Sequence, residues 1–250
     1  MSDKTAAETP ALPAAFVSHA AFDEYAGDYE QALNKGVSLS GESPDYFAEK
    51  RVEYTALWLH ALGTPPLVRV ADFGCGVGNS TPHFRQHFPQ AELLGLDVSP
   101  ASIERAREVH GGASKFLLLN DAVGAGELDL VYCNGVFHHI VPRDRGEWAV
   151  RVRKMLAPGG YFAVWENNPW NPGTRMVMRR IPFDRDAIPL AAHEARAMLV
   201  GAGFEIVGTR FRFYFPAMLS ALRPLERFGE RLPLGAQYCV LARKPANPQR

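Results

Sequence analysis

The sequence predicts an α/β fold: a doubly wound, mainly parallel sheet with helices on both faces. Three observations carry this expectation. Short apolar runs alternate in strict order with segments of helical period. Gly, Pro, Asn or Asp marks most of the exchanges. The chain's 250 residues are also enough for one large domain of this kind.

Residues 1–15 are rich in Ala, Thr and Pro, lack the apolar stretch of a signal peptide, and read as a disordered leader. Residues 16–66 read as a helical N-terminal segment. Phe22, Tyr25, Ala26 and Tyr29 stand near helical spacing, and Ser43-Pro44 opens a second helix. Its Tyr46, Phe47, Val52, Trp58 and Leu62 give a wide apolar face, and residues 63–66 stop it.

Residues 67–245 form the core. Strands are expected at 67–73, 91–96, 115–119, 128–134, 161–166, 204–213 and 237–243. Helices are expected from Pro82 (with Thr81 as cap), from Pro100 to Val109, over 147–155 and over 191–200.

Composition narrows the function. Lys plus Arg is 27 and Asp plus Glu is 27, a balance that argues against a nucleic-acid partner. No run of about 18 apolar residues is present, so no membrane span is expected. Cys75, Cys133 and Cys239 have no short paired spacing and read as reduced thiols, which suits a cytoplasmic protein. The oligomeric state is not legible.

Ligands on such sheets sit where strands end at their carboxyl edge, so the loops there carry the functional reading. After the first strand comes Asp72-Phe73-Gly74-Cys75-Gly76-Val77-Gly78. Alternate glycines let the backbone turn tightly and approach a ligand. A dinucleotide fingerprint would read GxGxxG, whereas this loop reads GxGxG with an acid two residues before it. A carboxylate there suits an ammonium and not a pyrophosphate; the plain alternative is a Gly-rich turn. Asp97 follows Gly78 by about 20 residues, a distance at which an acid accepts ribose hydroxyls, or it caps the next helix. Asp121, after the third strand, either accepts from an adenine amino group or belongs to an Asn-Asp turn.

The set DFGCGVG, GLDVS, NDA, LDLVYCNGVFHHI and LAPGGYFAVWE resembles the class I S-adenosylmethionine-dependent methyltransferases, in particular the small-molecule branch that includes methyltransferase types 11 and 12 and sugar or natural-product O-methyltransferases. The resemblance covers residues 67–166 and the last two strands. It implies a Rossmann-like seven-stranded sheet with an antiparallel last strand. It also implies S-adenosyl-L-methionine as cofactor, with Asp72, Gly74, Gly76 and Gly78 at the methionine part. Asp97 would hold the ribose, Val98 would pack on the adenine, Asp121 would reach its amino group, and Asn134 would line the site. An aromatic lid in related enzymes makes Tyr25 and Tyr29 candidates, with ordinary helix packing as the alternative.

The acceptor is expected to be a small molecule, with a hydroxyl of a sugar, natural product or lipid-linked intermediate favoured. His138 or His139 is the candidate base, and Glu166 an orienter or second base. One of the two histidines could equally be a buried, hydrogen-bonded residue. No metal is expected, because no third ligand has supporting spacing. Asn168-Pro169-Trp170 looks like the Asn-Pro-Pro-Tyr box of base and glutamine methylases but follows the fifth strand, so 167–172 reads as an acceptor-pocket loop. An insertion at 209–235 interleaves Arg210, Arg212, Arg223, Arg227 and Arg231 with aromatics, and is expected either to shape the acceptor site or to lie on the surface as a helix with snorkelling arginines. The competing readings are a nicotinamide oxidoreductase and a catalytically inactive partner subunit of the same fold.

Overall fold

The computed structural model describes residues 29–112, 114–119, 124–184 and 187–246. The strands are β1 Arg69–Phe73, β2 Glu92–Asp97, β3 Lys115–Leu118, β4 Leu128–Asn134, β5 Leu156–Asn167, β6 Glu205–Arg212 and β7 Gln237–Arg243. They make one sheet in the order β3-β2-β1-β4-β5-β7-β6. The pairs from β3 through β5 are parallel. β7 runs antiparallel to both β5 and β6. Strand order reverses between β1 and β4, which places the switch point beside the glycine loop.

The helices are α1 Tyr29–Val37, α2 Pro44–Ala61, α3 Thr81–His87, α4 Pro100–His110, α5 Pro142–Met155, α6 Pro172–Arg180, α7 Ala192–Gly201 and the short α8 Glu226–Gly229. Local chemistry explains several starts. Ser43 Oγ accepts from Tyr46 N at 3.1 Å. Ser99 Oγ accepts from Ser102 N at 3.1 Å. Asn171 Oδ1 accepts from Thr174 N at 3.0 Å. Each is a polar cap before a proline that is compatible with the first turn.

Three expectations are corrected. α3 is capped by Ser80, with no side-chain cap bond, and Thr81 is already helical. α5 begins at Pro142, five residues before its expected start, because Pro142 fits a first turn while Val141 stays extended. β5 begins at Leu156, five residues before its expected start, and the loop over 167–172 leads into a helix, α6, that was not expected.

Both sheet faces are covered, so the parallel strands are apolar at successive positions. In β4, Val131 and Cys133 join the cluster containing Phe73, Phe137, Trp148 and Phe162. Leu130 and Tyr132 face the cluster with Val52, Trp58 and Trp165. α2 is fastened to the second face by a buried hydrogen bond, from Trp165 Nε1 to Thr55 Oγ1 at 2.9 Å. Thr55 Oγ1 itself donates to Arg51 O at 2.8 Å.

Replacing Thr55 by the near-isosteric Val should leave the indole N–H buried without an acceptor. Denaturant unfolding should show a loss of about 1–3 kcal/mol; a variant as stable as the parent would mean that this bond does not hold α2.

Candidate active site

β1 and β2 end side by side, with Phe73 paired to Leu96. Gly74, Gly76 and Gly78 all take positive φ. A Cβ at Gly74 would stand 2.2 Å from Val136 Cγ2, and one at Gly78 would stand 2.8 Å from His110 Cδ2. At Gly76 it would meet nothing within 4 Å. Two glycines therefore permit packing, and the middle one leaves bare backbone beside open space. Asp97 ties the loop down: Oδ2 accepts from Gly76 N at 2.8 Å and Oδ1 from Ser99 N at 2.9 Å.

A cavity of about 600 Å³ opens at this edge. Asp72, Gly74, Gly76, Asp97, Val98 and Asn134 line it. Gly78 is set back from the wall, against His110 and Thr81. Tyr25 and Asp121 lie outside the described residues, as does the side chain of Tyr29.

Asp72 is 4% exposed. Burial, reinforced by the nearby Asp97, pushes its carboxyl up to about 7 against the pull of Arg51. Among the described residues none donates a hydrogen bond to it. Arg51 was missed by the sequence reading, although it is the one charged residue on the buried stripe Ala48, Val52, Thr55 and Leu59 of α2. It lines the same cavity, gives Nη1 to Gln237 Oε1 at 3.1 Å, and its buried Nε has no partner among the described residues. An acid without a donor and an arginine with an unused N–H complement a ligand that carries both an ammonium and a carboxylate.

β4 and β5 build the other half. After β4 the chain turns through Gly135 (φ 68°) into a 3-10 turn over Phe137–His139. Glu166 on β5 is 1% exposed and does not reach the cavity wall. Its Oε1 accepts from Phe137 N at 2.9 Å, and its Oε2 lies 2.5 Å from His138 Nδ1. Asp184 Oδ1 stands 3.5 Å from His138 Nε2 and 3.4 Å from His139 Nε2. Burial opposes a charge on His138, but Glu166 and Asp184 overcome it and carry its pKa up to about 10. Asp184 goes down to about 2, its burial outweighed by the two histidines. His139 is held below its ordinary value by burial and by the charge of His138.

Both histidines and Asp184 line the cavity. Asp184, 45 residues downstream of His139, was invisible to spacing arguments. With it, three donor groups lie within 4.8 Å of one another, so the absence of a third metal-capable group is corrected. The three groups also form an ion-pair network, with the Asp184 carboxylate beside both rings.

α6 and the insertion close the cavity. Asn167, Asn171, Thr174, Tyr214, Phe215 and Arg223 line it. Phe213 holds φ 64°, an uncommon value for an aromatic residue, and packs against Phe47 with ring centroids 5.0 Å apart. Of the insertion's arginines only Arg223 reaches the wall, where it pairs with Glu42 at 2.5 Å. Arg210 and Arg212 instead lie over the rings of Trp58 and Tyr54 and pair with Glu230.

The sequence profile described as "Methyltransferase domain" matches residues 71–162. The trans-aconitate 2-methyltransferase of Escherichia coli O1:K1 / APEC is 30% identical over 177 residues, spanning 68% of this chain and 69% of that protein. The enzyme of the same name from Methylobacterium radiotolerans is 38% identical over 112 residues, spanning 44% and 42%. The crystal structure of an S-adenosylmethionine-dependent methyltransferase from Mesorhizobium loti shares the fold at TM-score 0.54 and 20% identity, covering 77% of this chain and 100% of that one. The [4+2]-cyclase SpnF matches at TM-score 0.59 and 17% identity, covering 94% and 99%, so the fold alone does not carry one activity.

The Asp72 carboxyl, raised in the folded state, contributes stability that is present below its unfolded value and lost as pH rises through about 7. Asp72→Asn should therefore melt higher than the parent at pH 8, by about 4 °C or more, and close to it near pH 4. Calorimetric melts at the two pH values check this; an equal or lower melting point for the variant at pH 8 would refute the assignment of a stored charge.

Proposed function

The chain belongs to the class I S-adenosylmethionine-dependent methyltransferases, and on that premise we propose that it methylates a hydroxyl oxygen of a small acceptor with His139 as proton acceptor. The observation that carries this reading is the placement of His139 on the cavity wall. Burial and the neighbouring His138 charge keep its imidazole neutral near pH 7, and the Asp184 carboxylate is 3.4 Å away.

The cavity fits the cofactor. Asp72 and Arg51 would hold the two charges of its amino-acid end, Gly74 and Gly76 would pass beneath it, Asp97 would take the ribose hydroxyls, and Val98 would pack on the adenine. Bound there, S-adenosylmethionine supplies a methyl group on a positively charged sulfur, already a good leaving group. The expected roles of Tyr25, Tyr29 and Asp121 stay part of the same proposal.

The rest of the work falls to this chain. Alignment of the acceptor is worth roughly 7–11 kcal/mol in such displacements. His139 takes the acceptor's proton as the new oxygen–carbon bond forms, and Asp184 stabilises the resulting imidazolium. Glu166 and His138 act through position: their pairing fixes the turn that presents His139. Glu166 is thus an orienter; with both oxygens engaged behind the wall, it is not a second base.

The similarity to trans-aconitate 2-methyltransferases favours a second reading, a carboxylate acceptor. Such a group is already deprotonated and needs no base. The wall is less suited to it, because Arg223 is paired with Glu42 and Asp184 adds negative charge. The nicotinamide reading has no support: a pyrophosphate would face Asp72.

With a panel of hydroxylated and carboxylated acceptors, the rate on hydroxyls should rise with pH through a pKa below 6.5 and level off near neutrality. His139→Ala should lower kcat about 10²-fold while calorimetric cofactor affinity changes little. A flat pH profile with an active His139→Ala variant would transfer the proposal to a carboxylate. Arg51→Leu should weaken cofactor binding by about ten-fold or more; unchanged affinity would remove Arg51 from the site.

A further inference from the structure

The cavity is bordered by α6 and by the insertion between β6 and β7, and the outer surfaces of both are unusual. Residues 217–234 expose Met218, Leu222, Leu225, Phe228, Leu232 and Leu234, with Met218 at 87% and Phe228 at 74%. Met176 and Trp170 continue the apolar surface on the side of α6. The two segments are one connected body: Asn171 Nδ2 donates to Leu234 O at 2.7 Å, and Thr174 Oγ1 donates to Ala236 O at 2.7 Å.

The charges on this rim have one sign. Arg175, Arg179 and Arg180 on α6 and Arg227 and Arg231 on the insertion are exposed. The acids of these segments are spoken for. Glu226 is buried and accepts from the Tyr214 and Phe215 amides. Glu230 is paired with Arg210 and Arg212. α6 contains no acid. The whole chain is neutral, with 27 basic and 27 acidic residues, so this excess is local.

We propose that this rim docks on an anionic lipid bilayer, its apolar side chains entering the interface and its arginines meeting the headgroups. Arg, Met and aromatic residues are also common in protein interfaces, but a one-sign excess of positive charge around an apolar surface is complementary to a negatively charged leaflet. Long apolar side chains mixed with arginines that pair with no acid among the described residues match the composition of an interfacial element. None of the described helices is long and apolar enough to cross a membrane, so the contact is with the surface. Met176 both lines the cavity and stands on the rim, so a docked enzyme would open its acceptor half toward the bilayer. That last consequence rests on the methyltransferase reading; the docking itself does not.

The test is co-sedimentation of the full chain with vesicles of equal parts phosphatidylcholine and phosphatidylglycerol. Binding is expected, and should be about ten-fold or more weaker on pure phosphatidylcholine and at high salt. Met218→Ser/Phe228→Ser and Arg227→Glu/Arg231→Glu should each weaken it by about ten-fold or more, with calorimetric cofactor affinity unchanged, which shows that the variants fold. Absence of binding, equal binding to neutral vesicles, or variants that bind like the parent would overturn the proposal. So would light scattering that shows a dimer dissolved by Met218→Ser/Phe228→Ser, since a second copy would then cover the patch. Failure on vesicles with intact cofactor binding would leave the methyltransferase reading standing.

Discussion

The buried carboxylate of Glu166 organises the half of the cavity built by β4 and β5. A charge that is 1% exposed must be matched, and it is matched twice, by the Phe137 amide and by the His138 ring. The two bonds draw the segment after β4 against the end of β5. His138 lies between Glu166 and Asp184, which comes from the 3-10 turn after α6, and His139 is left next to His138 and Asp184 on the cavity wall. Removing one partner would leave the other charged group buried and uncompensated, which is why such networks behave as units.

The half beside the glycine loop follows the opposite principle. Asp72 is also buried but receives no hydrogen bond from the described residues. Its energetic cost is carried by the rest of the fold and is offset when a cation arrives. Arg51 shows the same in part with the other sign: its Nη1 is bonded to Gln237, and its Nε has no partner among the described residues. The site is therefore most complementary to its ligand where the empty protein is least satisfied, a trade between stability and function that is common at such sites.

The two halves share the sheet's carboxyl edge, but they are closed by elements from distant parts of the chain. α2 comes from before the sheet, α6 follows β5, and the insertion precedes β7. The aromatic cluster of Tyr46, Phe47 and Phe213 joins the first and last of these. Holding Phe213 at positive φ costs roughly 1–2 kcal/mol, and this packing, together with the Ala236 N to Phe213 O hydrogen bond, opposes it.

The order of strands and helices, the glycine loop, and the acids at the ends of β1, β2 and β5 were legible in the sequence. Each depends on a period of two or 3.6 residues, or on a backbone conformation that only certain residues adopt. α6 was not read from the sequence: it spans only nine residues, and its buried side carries Thr174 and Met178. Arg51 could have been found as a charge on an apolar face. The distinct characters of His138 and His139 could not: adjacent in the chain, they differ only in which carboxylates surround them. Asp184 and the division of the insertion's arginines between the rings of α2, the cavity and the outer rim were likewise decided by tertiary structure. Local pattern dictates where backbone elements begin and end. The partner of a buried charge is set by what the folded chain brings within a few ångströms, and sequence distance carries no information about that.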